Sequence, residues 1–338
     1  MKISERGRKM RYIINEKTNP KYNLALEEYV LKNLDGEFFF LWQNEPAIII
    51  GKHQNTIAEI NSEYVEENNI HVVRRMSGGG AVYHDLGNLN FSFIQEKKDI
   101  SEFDFGFFTL PIIKSLKILG IEAEFNSRND LAIDGRKFSG NAQYVYKKKI
   151  LHHGTLLFDS KIEELVKSLK VSKDKIESKG LKSIRSRVTN IKEHIDENSE
   201  IKEIKGFEES LLNFMKSQIE DFSEYKLTEE DKKAIENLKT EKYDKWEWNY
   251  GESPEADIHK ERKTDSGKIE SFINVKDGMV KNIKLYGDFF SAREINELEE
   301  KLAGKRYNKD DIKKVLMEID VKSYFSGFEL EDILDVII

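Results

Sequence analysis

RRMSGGGAVYHDLGNLNFSF, residues 74–93, decides how this chain is read. On either side of its glycines, residues 71–75, 81–84 and 89–94 are apolar or alternating and read as strands. Glycine in a strand gives up packing and costs backbone entropy, so Ser77 followed by Gly78, Gly79 and Gly80 needs a reason. A wide bulge is one reason. The other is a ligand lying against bare backbone, with N–H groups turned toward an anion, and the paired Arg74 and Arg75 favour it. Neither the dinucleotide pattern G-x-G-x-x-G nor the P-loop ending G-K-[ST] is present.

Working outward, Asn19-Pro20 is a helix start, and residues 20–34 place Tyr22, Leu26, Tyr29 and Asn33 near one face. Residues 38–42 and 47–50 read as two strands around Asn44-Glu45-Pro46, in the same sheet as the strands beside the glycines. Residues 103–119 form an amphipathic pattern closed by Gly120. Residues 131–133 run into the hairpin signal Asp134-Gly135, and 143–158 alternate well enough for two further strands. Residues 160–240 are helical and charged except for a basic, helix-poor stretch at 182–191. After Trp246, Trp248, Tyr250 and Pro254 the composition shifts, residues 269–275 and 279–286 flank Asp277-Gly278 as a second hairpin, and Ser291 with Glu294 has capping-box spacing before a helix that Gly304 can end. The expected fold is α+β: a large domain of mixed and antiparallel sheets flanked by helices over residues 1–245, with 1–9 a disordered extension, a linker at 246–256, and a small α/β C-terminal domain at 257–338.

Composition narrows the function. In 338 residues, 35% are charged but the net charge is only −7, so the excess reads as solvated helix surface rather than a nucleic-acid footprint. The N-terminal MKISERGRKM has charge without an apolar stretch behind it, and no aliphatic run approaches the roughly 20 residues that span a bilayer. A cytoplasmic enzyme with neither membrane nor nucleic-acid partner is expected. There are no cysteines, which removes disulfides, thiolate metal sites and thiol nucleophiles.

Three further features can carry chemistry. Lys137 follows the Asp134-Gly135 turn in KFSGNAQ, where a lone lysine is ordinarily a solvated surface group. His152 and His153 are neighbours on a strand, so they face opposite sides and do not readily share a metal. Arg185 and Arg187, in KSIRSRVTNI, either grip a phosphate or decorate a loop.

Together these segments resemble the lipoate-protein ligase A family. RRMSGGGAVYHD matches that family's R-R-x-S-G-G-G-A-V-[FY]-H-D signature, and RND at 128–130, KFSGNAQ at 137–143, HHGTLLFD at 152–159 and KSIRSRVTN at 182–190 follow in the family's order. The likeness extends through WEWNYG at 246–251 into the C-terminal domain. It implies the fold shared with biotin ligases, and an enzyme that activates free lipoate with ATP and Mg²⁺ as lipoyl-AMP. The acyl group then passes to a lysine on the lipoyl domains of 2-oxoacid dehydrogenase E2 subunits or on the glycine cleavage H protein.

By the same resemblance Lys137 contacts both lipoate carboxylate and α-phosphate, and Arg75 holds the ATP phosphates. Gly80, Ala81, Val82 and Tyr83 line the nucleotide site, while Gly78, Gly79, His153 and Thr155 border the lipoyl tail. Ser183, Arg185 and Arg187 belong to a loop that closes over the adenylate, and no side chain is assigned to a metal. Rival readings are a lipoyl or octanoyl transferase, whose known branches commonly use a cysteine absent here, a non-catalytic module binding lipoyl domains, and a biotin ligase.

Overall fold

The computed structural model describes residues 9–96, 104–126, 129–169, 186–251, 257–276 and 278–338. Among them, an eight-stranded sheet runs in space Asp221–Glu224, Lys9–Ile13, Glu37–Trp42, Asn88–Glu96, Lys149–Leu157, Arg136–Tyr146, Asp130–Ile133, Glu124–Asn126. The first three strands are parallel and the rest antiparallel, which is the mixed sheet that the sequence predicts. One face packs on helices Phe105–Ile118 and Ile204–Gln218 through Phe91, Phe108, Ile112, Phe207 and Leu211. The other packs on helix Pro20–Asn33, whose N-cap Asn19 accepts from the amides of Lys21 and Tyr22 and whose Leu24, Leu26, Val30 and Leu31 are buried.

The strands at 47–50, 71–74 and 82–84 do not extend this sheet. They form a separate three-stranded one, with Ala47–Ile50 central between His71–Arg74 and Val82–His84. The turn at 44–46 is therefore a crossing between sheets rather than a hairpin. It is held there because Asn44 is buried and bonded to Asn23 (2.9 Å) and His84 (3.0 Å), while the Glu45 amide donates to Thr18 O. The glycine run joins the two outer strands of this small sheet, the chain returns to the large sheet through residues 85–87, and a cavity lies between the two layers.

The C-terminal unit is an antiparallel meander, Ile258–Thr264, Gly267–Lys276 and Met279–Gly287, covered by helices Ile295–Leu302, Lys309–Met317 and Leu330–Ile337 around its own core. The capping box expected at Ser291 does not form: the Ser291 hydroxyl donates to Arg293 O (2.6 Å), and the helix starts after Glu294 without a side-chain cap. The stretch at 246–251, expected as linker, is instead folded into the large domain. Trp246–Asn249 is a short helix, Asn249 is buried, its side chain accepts from the Arg74 amide (3.0 Å), and the Trp248 indole donates to Arg74 O (2.9 Å).

Burial also sets the acid limit of this fold. His53, His84 and His152 are buried, and desolvation holds each below the ordinary histidine range, His84 at about 3. Unfolding lets each take up a proton below its ordinary pKa of about 6.5. The unfolded chain then binds more protons than the folded one, so stability falls as pH drops below that value and goes on falling toward pH 3. The thermal midpoint is expected to be lower at pH 5 than at pH 7.5. A midpoint unchanged between them in scanning calorimetry would contradict neutral burial of these rings.

Candidate active site

The large sheet forms the floor of the cavity. Strand register aligns Gly140, Thr155, Asn90 and Trp42 across four neighbouring strands: Thr155 pairs with Asn90, Asn90 with Trp42, and the Gly140 amide donates to Thr155 Oγ1 (3.1 Å). Three inter-strand spacings make this row about 14 Å long. Lys137 stands at one end, since a Cβ built on Gly140 would lie 3.1 Å from Lys137 Nζ. The roof comes from the small sheet and the glycine run, with Ile49, Arg75, Gly79, Gly80, Ala81, Val82 and His84 lining a space of about 650 Å³. Its walls are mainly apolar, as those of small-molecule sites are.

Lys137 is the cation at the polar end. Its side chain is 42% exposed and its Nζ lies 2.8 Å from Asp130 Oδ1, within ion-pair range but without hydrogen-bond alignment. Its backbone is clamped, with the amide donating to Arg187 O (2.7 Å) and the carbonyl accepting from the Thr189 amide (2.9 Å). The basic segment that sequence singled out is thus stitched to Lys137. Arg187 is exposed beside it, whereas Ser183 and Arg185 fall outside the described residues.

Arg75 organises the roof. Its Nε donates to Ser77 Oγ (3.0 Å), Nη1 to Ile49 O (3.0 Å), and Nη2 to Gly78 O (2.6 Å) and Gly80 O (2.9 Å). Burial pushes its pKa down to about 10, which still leaves it charged at neutral pH. Gly79 sits at φ +91° with its amide bonded to Phe289 O (3.2 Å), a conformation that only glycine adopts without strain. Gly51 is as constrained from below, because a Cβ there would collide with the Gly79 carbonyl oxygen. Sequence reading passed over Gly51, which stands alone after an aliphatic strand.

Beneath the glycines a buried polar line runs from roof to floor to helix. Ser77 Oγ lies 2.6 Å from His153 Nε2, and His153 Nδ1 lies 2.9 Å from Glu27 Oε1, which also accepts from Ser92 Oγ (2.5 Å). Glu27 was not expected in the site. Beside Glu28 it reads as half of an ordinary acidic pair on a helix, and only the fold brings it to a histidine 126 residues away.

Not every residue expected to line the site does so. Val82 and His84 face the cavity, but the intervening Tyr83 points the other way by strand alternation and packs with Ile48 and Ile50. Gly78 is likewise outside the lining, because its α-carbon lies against Phe289 and Phe290 of the C-terminal unit. His152, on the opposite face from His153, is a core residue stacked on Phe108 at 4.7 Å and bonded to Gln143 (2.8 Å). Among the described residues, no group of three or more His, Asp or Glu side chains is arranged to hold a metal.

Comparison with known proteins places this geometry. Residues 19–211 match the family described as lipoyl protein ligase A/B catalytic domain, and residues 253–337 match the bacterial lipoate protein ligase C-terminus. The chain belongs to the lipoate-protein ligase family. It is 49% identical to lipoate-protein ligase LplJ of Bacillus subtilis over 97% of this chain and 100% of that one. Its fold is similar to that of P. falciparum LipL1 in complex with lipoate, with TM-score 0.75, 27% identity and 97% of each chain covered. It is also similar to a lipoate-protein ligase A bound with ATP, with TM-score 0.61, 29% identity, 72% of this chain and 99% of that chain covered.

Proposed function

We propose that lipoate lies along the floor of this cavity with its carboxylate at Lys137, and that ATP approaches from the same open end. The chain is a lipoate-protein ligase, and the observation that carries this assignment of the site is the row from Lys137 to Trp42. It is a cation, then about 14 Å of floor from Gly140 across Thr155 and Asn90 to Trp42, roughly the reach of an extended eight-carbon acid with a terminal ring.

In the first half-reaction a lipoate carboxylate oxygen attacks the α-phosphorus, the bond to the β-phosphate bridging oxygen breaks, and pyrophosphate leaves. Two anions must approach, and Lys137 touching both lowers their repulsion. Arg75 keeps the carbonyls of Gly78 and Gly80 turned inward on itself, so that the loop presents its small residues to the ligand. Mg²⁺ fits as an ion carried in on the phosphates, with Asp130 the carboxylate nearest Lys137, and would supply further charge neutralisation there.

In the second half-reaction the nitrogen of an acceptor lysine attacks the acyl carbon and AMP departs. The acceptors are lipoyl domains of 2-oxoacid dehydrogenase E2 subunits or the glycine cleavage H protein, in the cytoplasm, where ATP is at hand. Among the described residues no helix is long and apolar enough to cross a membrane.

Exchange of labelled pyrophosphate into ATP tests this reading. Exchange should require lipoate and need no acceptor protein. Exchange that is absent with lipoate, or that proceeds equally without any acid, would contradict it.

A further inference from the structure

The sequence run Arg128-Asn129-Asp130 ends in a carboxylate whose place is set by strand register. Asp130 pairs with Gly140, and residues paired across a sheet share a face, so Asp130 continues the row Trp42, Asn90, Thr155, Gly140 by one strand, about 5 Å further out. Alternation agrees, because its neighbour Leu131 is buried in the core on the other face. Asn129 fixes this stretch: its Nδ2 donates to Asn141 O (2.6 Å), and its carbonyl accepts from the Asn141 amide and Nδ2 (both 2.9 Å). Lys137 and Asp130 thus stand side by side at the mouth, Nζ 2.8 Å from Oδ1, the cation lining the cavity and the carboxylate one strand outside it. Oδ1 is buried and makes no hydrogen bond among the described residues, whereas the side chain as a whole is 27% exposed, so the open part of the carboxylate is Oδ2.

The same row fixes where the second substrate enters. With the acyl tail on the Trp42 side of Lys137 and the glycine run above, the path to the acyl carbon lies over the two outer strands. The outermost, Glu124–Asn126, is the edge of the sheet with all three residues exposed, and Asn126 pairs with Asp130. An acceptor lysine on this path passes the carboxylate before it reaches Lys137. At pH 7 it arrives as an ammonium, its pKa being about 10.4. In forming an amide its nitrogen sheds two protons, one to become a free amine and one after it has bonded to the acyl carbon. A carboxylate is too weak a base to empty an ordinary ammonium, but the nitrogen of the tetrahedral adduct is far more acidic and gives its proton up to one.

We infer that Asp130 is a catalytic residue of the second half-reaction, its Oδ2 receiving the acceptor ammonium and then taking the proton that the nitrogen loses after attack. The ammonium first releases one proton to water, next to the Lys137 cation that disfavours its charge. The nitrogen then bonds to the acyl carbon, the second proton passes to Oδ2, the bond from the acyl carbon to the phosphate oxygen breaks, and AMP leaves. Asp130 afterwards returns its proton to water. This rests on the ligase reading above and adds the group that serves the acceptor, so that the cation and the carboxylate at the mouth divide the two half-reactions between them.

Asp130→Asn tests this in two assays. Single-turnover transfer from lipoyl-AMP loaded on the enzyme to the lipoyl domain of an E2 subunit should fall at least about a hundredfold, the lower range for a positioned proton acceptor. Lipoate-dependent pyrophosphate exchange should stay within about fivefold of wild type, the worth of a poorly aligned ion pair. In Asp130→Ala, added formate should restore part of the transfer rate while leaving wild type unchanged, a recovery that a merely structural carboxylate does not give. Transfer by Asp130→Asn within about tenfold of wild type, transfer and exchange falling together, or an Asp130→Ala rate indifferent to formate would overturn the inference. Should neither variant fold, wild-type transfer in heavy water decides: it should be slower than in ordinary water, and equal rates would overturn the role. Failure here is separable from failure of the ligase reading, since a wild type without lipoate-dependent exchange refutes that reading, whereas normal transfer by Asp130→Asn refutes only the role of Asp130.

Discussion

Replacing Lys137 with alanine is expected to slow lipoate activation at least a hundredfold, in line with the roughly 2.7–4 kcal/mol that a fixed donor contributes at a comparable anionic transition state. The loss should fall on chemistry and not on folding. The Lys137 side chain is partly exposed, and the Asp130 oxygen nearest to it is buried but not aligned for a hydrogen bond with it, so the ion pair between them adds little to stability. The strand that holds it is fixed by backbone bonds to Arg187 and Thr189, which alanine retains. Rates of pyrophosphate exchange, with a thermal midpoint measured alongside, check this. Activity within tenfold of wild type in a folded variant would remove Lys137 from the reaction.

The second large effect is expected at Arg75, and it has a different signature. Its guanidinium is buried and bonded to Ile49 O, Gly78 O, Gly80 O and Ser77 Oγ. Arg75→Ala leaves three carbonyls and a hydroxyl facing a void, and orphaned groups of this kind cost about 1–3 kcal/mol each, although some relax toward water. A net destabilisation of about 3 kcal/mol or more is expected, together with loss of exchange activity well below the melting transition because the glycine loop loses its shape. Chemical denaturation and exchange assays should therefore both change, whereas Lys137→Ala should change only the second. An Arg75→Ala protein as stable as wild type would show that the roof is held by something else. Arg74, its neighbour, ties the loop at Gly51 to Gln54 and the helix at Trp246–Asn249 together and has no place in the cavity, so sequence adjacency conceals two separate roles.

Much of this site was legible from residue order alone, for identifiable reasons. Three glycines inside strand-forming sequence require a close approach of something, and both Gly51 beneath and Phe289 alongside make that approach. The Asp134-Gly135 turn puts Lys137 at a strand start, where its side chain is free to reach the cavity mouth. What could not be read is whatever depends on which layer a strand joins. The alternation around Asn44 is the same for a hairpin and for a crossing between sheets, and the crossing is decided by partners at Asn23 and His84 that are 21 and 40 residues away.

Parity is a second blind spot. A strand position next to a functional residue faces the opposite side, which is why Tyr83 packs with Ile48 and Ile50 while Val82 and His84 meet the cavity. Capping is a third, since the spacing of Ser291 and Glu294 is right for a box, but the Ser291 hydroxyl finds a nearer acceptor in Arg293 O. Glu27 and His84 are legible only in three dimensions: one is half of an acidic pair on a helix, the other a histidine at the end of a short strand. Both acquire meaning from partners that only the fold supplies.

Native mass spectrometry of the protein mixed with lipoate and ATP, without any acceptor, tests the central claim most directly. A cavity that joins the two ligands at Lys137 should hold one non-covalent lipoyl-AMP per chain, released on denaturation and discharged when a lipoyl domain is added. Bound lipoate and ATP that remain unjoined, or a lipoyl group attached covalently to the chain itself, would contradict it.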